Sequence, residues 1–91
     1  MKVFSAILLE GTKTMFSLIE CVPMTDLAIA LKFAEDDIKT YFYDNMPTHK
    51  KKIIIDLIKE LDQITIDDSI KMQHEIIASL NDIKKEGMCL N

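Results

Sequence analysis

Residues 25–61 constrain the fold most, because apolar side chains recur through them at helical spacing. Positions three, four and seven apart fall on one side of an α-helix. The apolar positions of the first two predicted helices are Leu27, Ala30, Leu31 and Ala34, and then Ile38, Phe42 and Met46. The stretch therefore predicts three consecutive helices with charge-rich joints between them.

The third of these helices combines two faces of different chemistry. Its apolar stripe comprises Ile53, Ile54, Leu57, Ile58 and Leu61. Its charged positions, which we call the charged ridge, are His49, Lys52, Asp56 and Lys59, at i, i+3, i+7 and i+10. Such a helix packs one face and exposes the other. We expect the apolar stripe to pack and the charged ridge to meet water or a partner.

Length and composition favour one small all-α domain over residues 1–91. The chain has 91 residues, 48% of them apolar, and only two glycines and two prolines, which favours long helices over many tight turns. Residues 1–14 are assigned as an N-terminal extension, in which residues 2–10 suit a helix better than a strand. Residues 15–22 predict a short helix that points Met15, Leu18, Ile19 and Val22 inward.

Several residues are expected to mark helix ends. Thr12 or Thr14 would cap the helix over residues 15–22, and Thr25 the next one. The acidic triplet of residues 35–37 is interpreted as a helix start rather than a cation site, because neighbouring side chains on a helix diverge. Pro47 suits a first helical position.

The C-terminal part of the chain predicts a connector followed by a long helix. The apolar residues of the connector, residues 62–66, are expected to lie back on the bundle, and Thr65 with Asp68 resembles a capping box. The helix runs to about Glu86, and Gly87 ends it. Its predicted inner face comprises Ile70, Gln73, Ile76, Ile77, Leu80 and Ile83.

Charge and motifs argue against several classes of function. A net charge of −4 and an isoelectric point near 5.0 argue against nucleic-acid binding, and no run approaches the ~18 apolar residues of a membrane span. Cys21 and Cys89 lack CxxC spacing, and His49 and His74 lack the spacing of metal ligands. Without a glycine-rich phosphate loop or a nucleophile motif, we expect no enzyme, no metal and no cofactor. We also expect a cytoplasmic protein.

Four motifs in fixed register resemble the C-terminal domain of the flagellar motor switch protein FliG. Residues 26–34, DLAIALKFA, are similar to the family's DLALALKGA segment, and Asn45-Met46 is similar to its NMS turn. Gln73 and Ile76 match a Q..I pair, and Gly87 matches a glycine that closes the last helix. The resemblance runs without a gap from about residue 15 to residue 90.

The resemblance implies an armadillo-like right-handed superhelix of about five to six short helices. It also implies a rotor component that contacts the cytoplasmic loop of the stator protein and other switch-complex proteins, at the inner face of the membrane. The partner-binding residues would be Lys32, His49, Lys52, Asp56 and Lys59. His49 stands for the family's ridge arginine, Leu57 for its second acid, Phe33 for a glycine and Pro47 for a serine cap.

Two other interpretations stay open. One is a helical adaptor, or a divergent paralogue, that stacks on another helical unit or on itself through an apolar groove around Phe33 and Tyr43. The other is a small helical bundle whose ridge is only solvated, since exposed ion pairs contribute little. A domain of this length alone would also lack the family's N-terminal and middle domains.

Overall fold

Helical segments account for most of residues 4–86, the part of the chain that this computed structural model describes. A 3₁₀ helix, Phe4–Leu9, precedes five α-helices, and no strand occurs among these residues. The α-helices are α1 Thr12–Cys21, α2 Met24–Lys32, α3 Asp36–Asp44, α4 Thr48–Glu60 and α5 Ile66–Glu86. The predicted all-α class is confirmed. The predicted glycine stop at Gly87 and Cys89 lie outside the described residues.

The core is centred on α2, which packs against both α4 and α5. The helix can do so because alanines alternate with leucines around it, and Leu27, Ala28, Ala30 and Leu31 are all buried. The helix α5 also packs against α1, where Met15, Leu18 and Ile19 are buried as predicted, with Val22 just beyond the helix.

The 3₁₀ helix is part of this core rather than an appendage. Ile7 is fully buried, and the Phe4 ring stacks on Phe42 with 5.7 Å between ring centroids. Two polar contacts hold the following turn: the Tyr41 hydroxyl donates to the Glu10 carbonyl, and Lys84 Nζ lies 2.9 Å from Glu10 Oε2. The prediction of a helix here is confirmed, in the tighter 3₁₀ form.

Helix α1 begins at Thr12, earlier than the predicted start at residue 15. Gly11 is the extended residue before the helix, and its carbonyl accepts the Met15 N–H at 3.0 Å. Thr12 and Thr14 therefore lie inside the helix, so the prediction that one of them caps it is wrong. Gly11 can supply the extended conformation without a side-chain cap.

The two prolines each stand immediately before a helix. The Pro23 carbonyl accepts the Leu27 N–H at 3.0 Å, so α2 starts at Met24 and the predicted cap Thr25 is its second residue. Pro47 likewise precedes α4, which starts at Thr48. The prediction that Pro47 is the first helical residue is therefore off by one position. A proline costs nothing at a helix start, because its missing N–H would have no intrahelical partner.

The predicted capping box at the start of α5 is confirmed. The Asp68 N–H donates to Thr65 Oγ1 at 3.1 Å, and the Thr65 N–H donates to Asp68 Oδ2 at 3.2 Å. The acidic triplet also opens α3 as predicted, with the Ile38 N–H donating to Asp37 Oδ1 at 2.8 Å.

Three isoleucines that were predicted to pack are exposed instead. Ile53 in α4 and Ile70 in α5 are each 42% exposed, and Ile66, the first residue of α5, is 57% exposed. In α5 the position turned towards α2 belongs to Ser69, which is fully buried because its hydroxyl donates to the Ala30 carbonyl at 3.1 Å. In α4 only Ile54 is fully buried; Leu57 and Ile58 are half-buried, as is Leu61 just after the helix.

Candidate partner-binding surface

The charged ridge lies on the solvent side of α4. Ile54 anchors this helix in the core with no exposed surface, and all four ridge side chains are exposed on the other side. Within residues 4–86 the ridge side chains make no ion pair and no side-chain hydrogen bond. The predicted exposure of His49, Lys52, Asp56 and Lys59 is confirmed, and their charges are available to a partner.

Lys32 is placed differently from the ridge. It ends α2 and is half-buried, with Nζ 3.4 Å from the Ile58 carbonyl and 5.7 Å from the centroid of the Phe33 ring. The ammonium therefore sits at the last turn of α4, where the helix dipole favours a positive charge. The structure thus brings Lys32 to the end of α4, where the Ile58 carbonyl and the Phe33 ring already contact its ammonium group.

The rest of the basic run is anchored to neighbouring helices. Lys50 Nζ lies 2.9 Å from Glu20 Oε2, and that lysine side chain is largely covered. Lys51 Nζ lies 5.7 Å from the centroid of the Tyr43 ring, and burial raises the pKa of the Tyr43 hydroxyl above its ordinary value of 10.0. Of the run from His49 to Lys52, the two end residues belong to the ridge.

An apolar residue, Ile53, interrupts this surface. It stands one turn after His49 and one turn before Asp56, so it shares their face of α4. Sequence reasoning missed it, because Ile53 was placed in the apolar stripe with Ile54. The helical spacing from His49 and Asp56 was the signal that could have found it.

Phe33 and Tyr43 are each contacted by a different lysine. Lys32 Nζ lies near both the Phe33 ring and the Ile58 carbonyl of the last turn of α4, whereas Lys51, in the first turn of α4, lies near the Tyr43 ring. Phe33 is 44% exposed and Tyr43 is half-buried.

A cavity of about 240 Å³ opens between α1, α2 and α4. Its apolar lining includes Ile19, Val22, Met24, Leu27, Met46 and Ile54, and the Glu20–Lys50 ion pair stands at its edge. No group of three His, Cys, Asp or Glu side chains among residues 4–86 is arranged to hold a metal ion. His74 is exposed on α5, as predicted.

No single helix in the described part of the chain has the length and hydropathy to cross a membrane. Helices α1 and α2 have this length and hydropathy only when they are taken together, and the chain bends by 113° at the break between them.

Residues 4–86 form an all-helical domain that keeps one face of α4 charged and uncovered. The sequence profile of the FliG C-terminal domain matches residues 1–89, nearly the whole chain, including the residues before Met15. The chain belongs to the FliG C-terminal domain family, whose members are components of the flagellar motor switch and act in motility with other motor proteins. No curated protein matches the chain.

Proposed function

We propose that this chain acts as a rotor component whose charged ridge contacts the cytoplasmic loop of the stator protein and takes part in torque generation. The observation that carries the proposal is the uncovered ridge: four chargeable side chains on one face of α4, without partners in the described part of the chain. Lys32, from α2, adds a fifth chargeable side chain near the end of α4.

The physics of exposed charges suits a rotor surface. Exposed ion pairs contribute about 0.2–1 kcal/mol each, so contacts form and break readily. Complementary charges act mainly on encounter rate and orientation. A surface that meets one stator after another needs fast, oriented and reversible contacts of this kind.

The chain's departures from the family pattern fit its own packing. Leu57, which stands for the family's second acid, is half-buried against the core, where a carboxylate would lose hydration. Of these two adjacent positions, only Asp56 therefore carries a negative charge. His49 is exposed, so it keeps the ridge position without the arginine's fixed fork of donors.

The proposal extends to the whole unit. Residues 1–91 form one domain of the armadillo-like right-handed superhelical type, which docks at the cytoplasmic face of the flagellar basal body. The domain binds other switch-complex proteins, stacks on further helical units or on copies of itself, and catalyses no reaction. The succession of short helices with abrupt turns supports this architecture.

An NMR titration of the isotope-labelled chain with the cytoplasmic loop of a flagellar stator protein tests the contact. At low salt we expect shift changes on Lys32, His49, Lys52, Asp56 and Lys59. They should fade at ~0.5 M salt, where charge interactions are screened beyond a few ångström. Asp56→Lys should abolish the response, because it reverses the ridge's acidic position. Asp44→Lys, the same change at an exposed position of α3, should leave the response intact.

The exposed Phe33 ring supports a second candidate, the adaptor that stacks through an apolar contact. That function predicts that Phe33→Ala weakens partner binding while Asp56→Lys does not. Equal binding by both variants and the unchanged chain would leave the ridge as a solvated surface and refute both functions.

A further inference from the structure

Lys32 differs from the four ridge residues in its surroundings. The ridge side chains are exposed, whereas Lys32 is half-buried. Its Nζ lies 3.4 Å from the Ile58 carbonyl oxygen and 5.7 Å from the centroid of the Phe33 ring. Lys32 thus links the end of α2 to the end of α4, the helix that carries the ridge.

The end of α4 lacks the glycine cap that commonly closes a helix. Its last four carbonyl groups have no intrahelical donor, and Leu61, the residue after the helix, has a φ of −91°, outside the left-handed conformation of such caps. The Ile58 carbonyl is one of the four, and it accepts the Leu61 N–H at 3.3 Å and the Lys32 ammonium. A positive charge is stabilising there, because it faces the negative end of the helix dipole. Lys32 therefore acts as a cap that another helix supplies.

Lys32 can hold the end of α4 because its own position is fixed. The Ala30 carbonyl, two residues before it, accepts two hydrogen bonds from side chains of α5, at 3.1 and 2.9 Å. Helix α4, by contrast, has one buried residue, Ile54, near its middle. Asp56 and Lys59 follow Ile54, towards the end that Lys32 contacts. The direction in which these two ridge charges point thus depends on how the last turns of α4 are held.

We infer that Lys32 is a positioning residue of the ridge: its ammonium holds the end of α4, and it acts on partner binding through the placement of Asp56 and Lys59. The inference rests on the proposed function, in which these charges meet the stator loop. A frayed last turn would have to be ordered when the partner binds, and such ordering weakens affinity. Lys32 orders the turn in advance, and the exposed charges pair with the partner.

Calorimetric titration of the 91-residue chain with the stator loop, from low salt to ~0.5 M salt, tests this role. Lys32→Met removes the donor and keeps a long unbranched side chain. It should raise the Kd about two- to fivefold at every salt concentration, because a partly buried contact at a helix end is screened little. The steepness of the salt dependence should stay the same, because the ridge charges remain.

Two further variants control for charge and burial. Lys32→Arg keeps a positive donor and should bind as the unchanged chain does. Lys39→Met is the matched control, because Lys39 is also half-buried but lies on α3, and it should leave the Kd unchanged.

Amide exchange in the free chain gives a second measurement that needs no partner. The Leu61 N–H donates to the same Ile58 carbonyl as Lys32 does. Lys32→Met should therefore speed exchange of the Leu61 amide and leave the first turn of α4 unchanged, since helix ends open locally. Equal exchange in Lys32→Met and the unchanged chain would refute the positioning role.

The outcomes separate the inference from the proposed function. If Lys32→Met raises the Kd only at low salt and flattens the salt dependence, Lys32 pairs with the partner directly and the positioning role is refuted. If Lys32→Met binds as Lys39→Met does, Lys32 serves the fold alone and the role is refuted as well. In both cases the stator contact stands. If the loop does not bind the unchanged chain, the stator contact is refuted, and the positioning role with it.

Discussion

The carbonyl group of Ala30 shows how single residues hold this fold together. It lies in the last turn of α2, where backbone acceptors have no intrahelical donor. Ser69 Oγ donates to it at 3.1 Å and Gln73 Nε2 at 2.9 Å, both from α5. Two side chains one turn apart thus cap a helix that lies about forty residues away in the chain.

Removing these donors should reduce stability in steps. Ser69→Ala leaves the Gln73 bond in place, so we expect a loss of about 1 kcal/mol in the free energy of unfolding. The double change to alanine at Ser69 and Gln73 leaves a buried carbonyl unsatisfied and should cost roughly 1–3 kcal/mol. Urea unfolding followed by circular dichroism measures both.

Ser79→Ala on the same helix is the control for the change in helix propensity. If the double variant unfolds at the same urea concentration as the unchanged chain, water replaces the two donors and the cap contributes nothing.

At the scale of the element, the start of α5 depends on a local cap. Thr65 and Asp68 satisfy each other's backbone N–H groups at the point where the connector from α4 becomes the longest helix. Both residues are exposed, so the cap acts through hydrogen bonds rather than through packing. This cap was predictable because it needs only four consecutive residues.

Thr65→Ala should destabilise the chain by about 1 kcal/mol, the usual cost of losing an N-cap side chain. Thermal unfolding monitored at 222 nm would show a lower Tm, and amide exchange should increase in the first turn of α5. Thr65→Ser keeps the hydroxyl and should stay close to the unchanged chain. Equal losses for alanine and serine would indicate that the threonine methyl group, and not the cap, matters.

The starts of α1 and α2 were not predicted correctly, for a related reason. A threonine can cap a helix, but the chain before each helix already takes the extended conformation, at Gly11 and at Pro23. Those residues have no side chain that can cap, and neither helix has a side-chain cap in the structure. Backbone preference thus determined where these helices begin, ahead of side-chain hydrogen bonding.

At the scale of the whole molecule, the N-terminal 3₁₀ helix completes the core. It packs against α3 and α5, which are far from it in sequence, and Ile7 is fully buried there. Without it, the Phe42 ring would lose its stacked partner Phe4. A domain of this size has a total stability of only about 5–15 kcal/mol, so one such contact is a large share.

Ile7→Ala should cost about 2–5 kcal/mol, because it removes buried methyl groups and leaves a cavity. Urea or thermal unfolding measures the loss, and the variant should be close to unfolding at 37 °C. Leu9→Ala, in the same 3₁₀ helix, is the control, since Leu9 is 86% exposed and should change stability by no more than about 0.5 kcal/mol. Equal stability of the two variants would show that the 3₁₀ helix is not part of the cooperative core.

The sequence by itself determined what depends on neighbours within a turn or two: the helices, the exposed ridge of α4, the capping box at Thr65, and the motifs that place the chain in its family. These follow from helical spacing and local hydrogen bonding.

Only the tertiary structure decided which face of each helix meets which neighbour. Lys32 reaches the Ile58 carbonyl, and Ser69 replaces Ile70 in the core. The physical reason is that a 3.6-residue period gives the direction of an apolar face only to within a residue or so. A partner helix distant in the chain then selects the residue that fits.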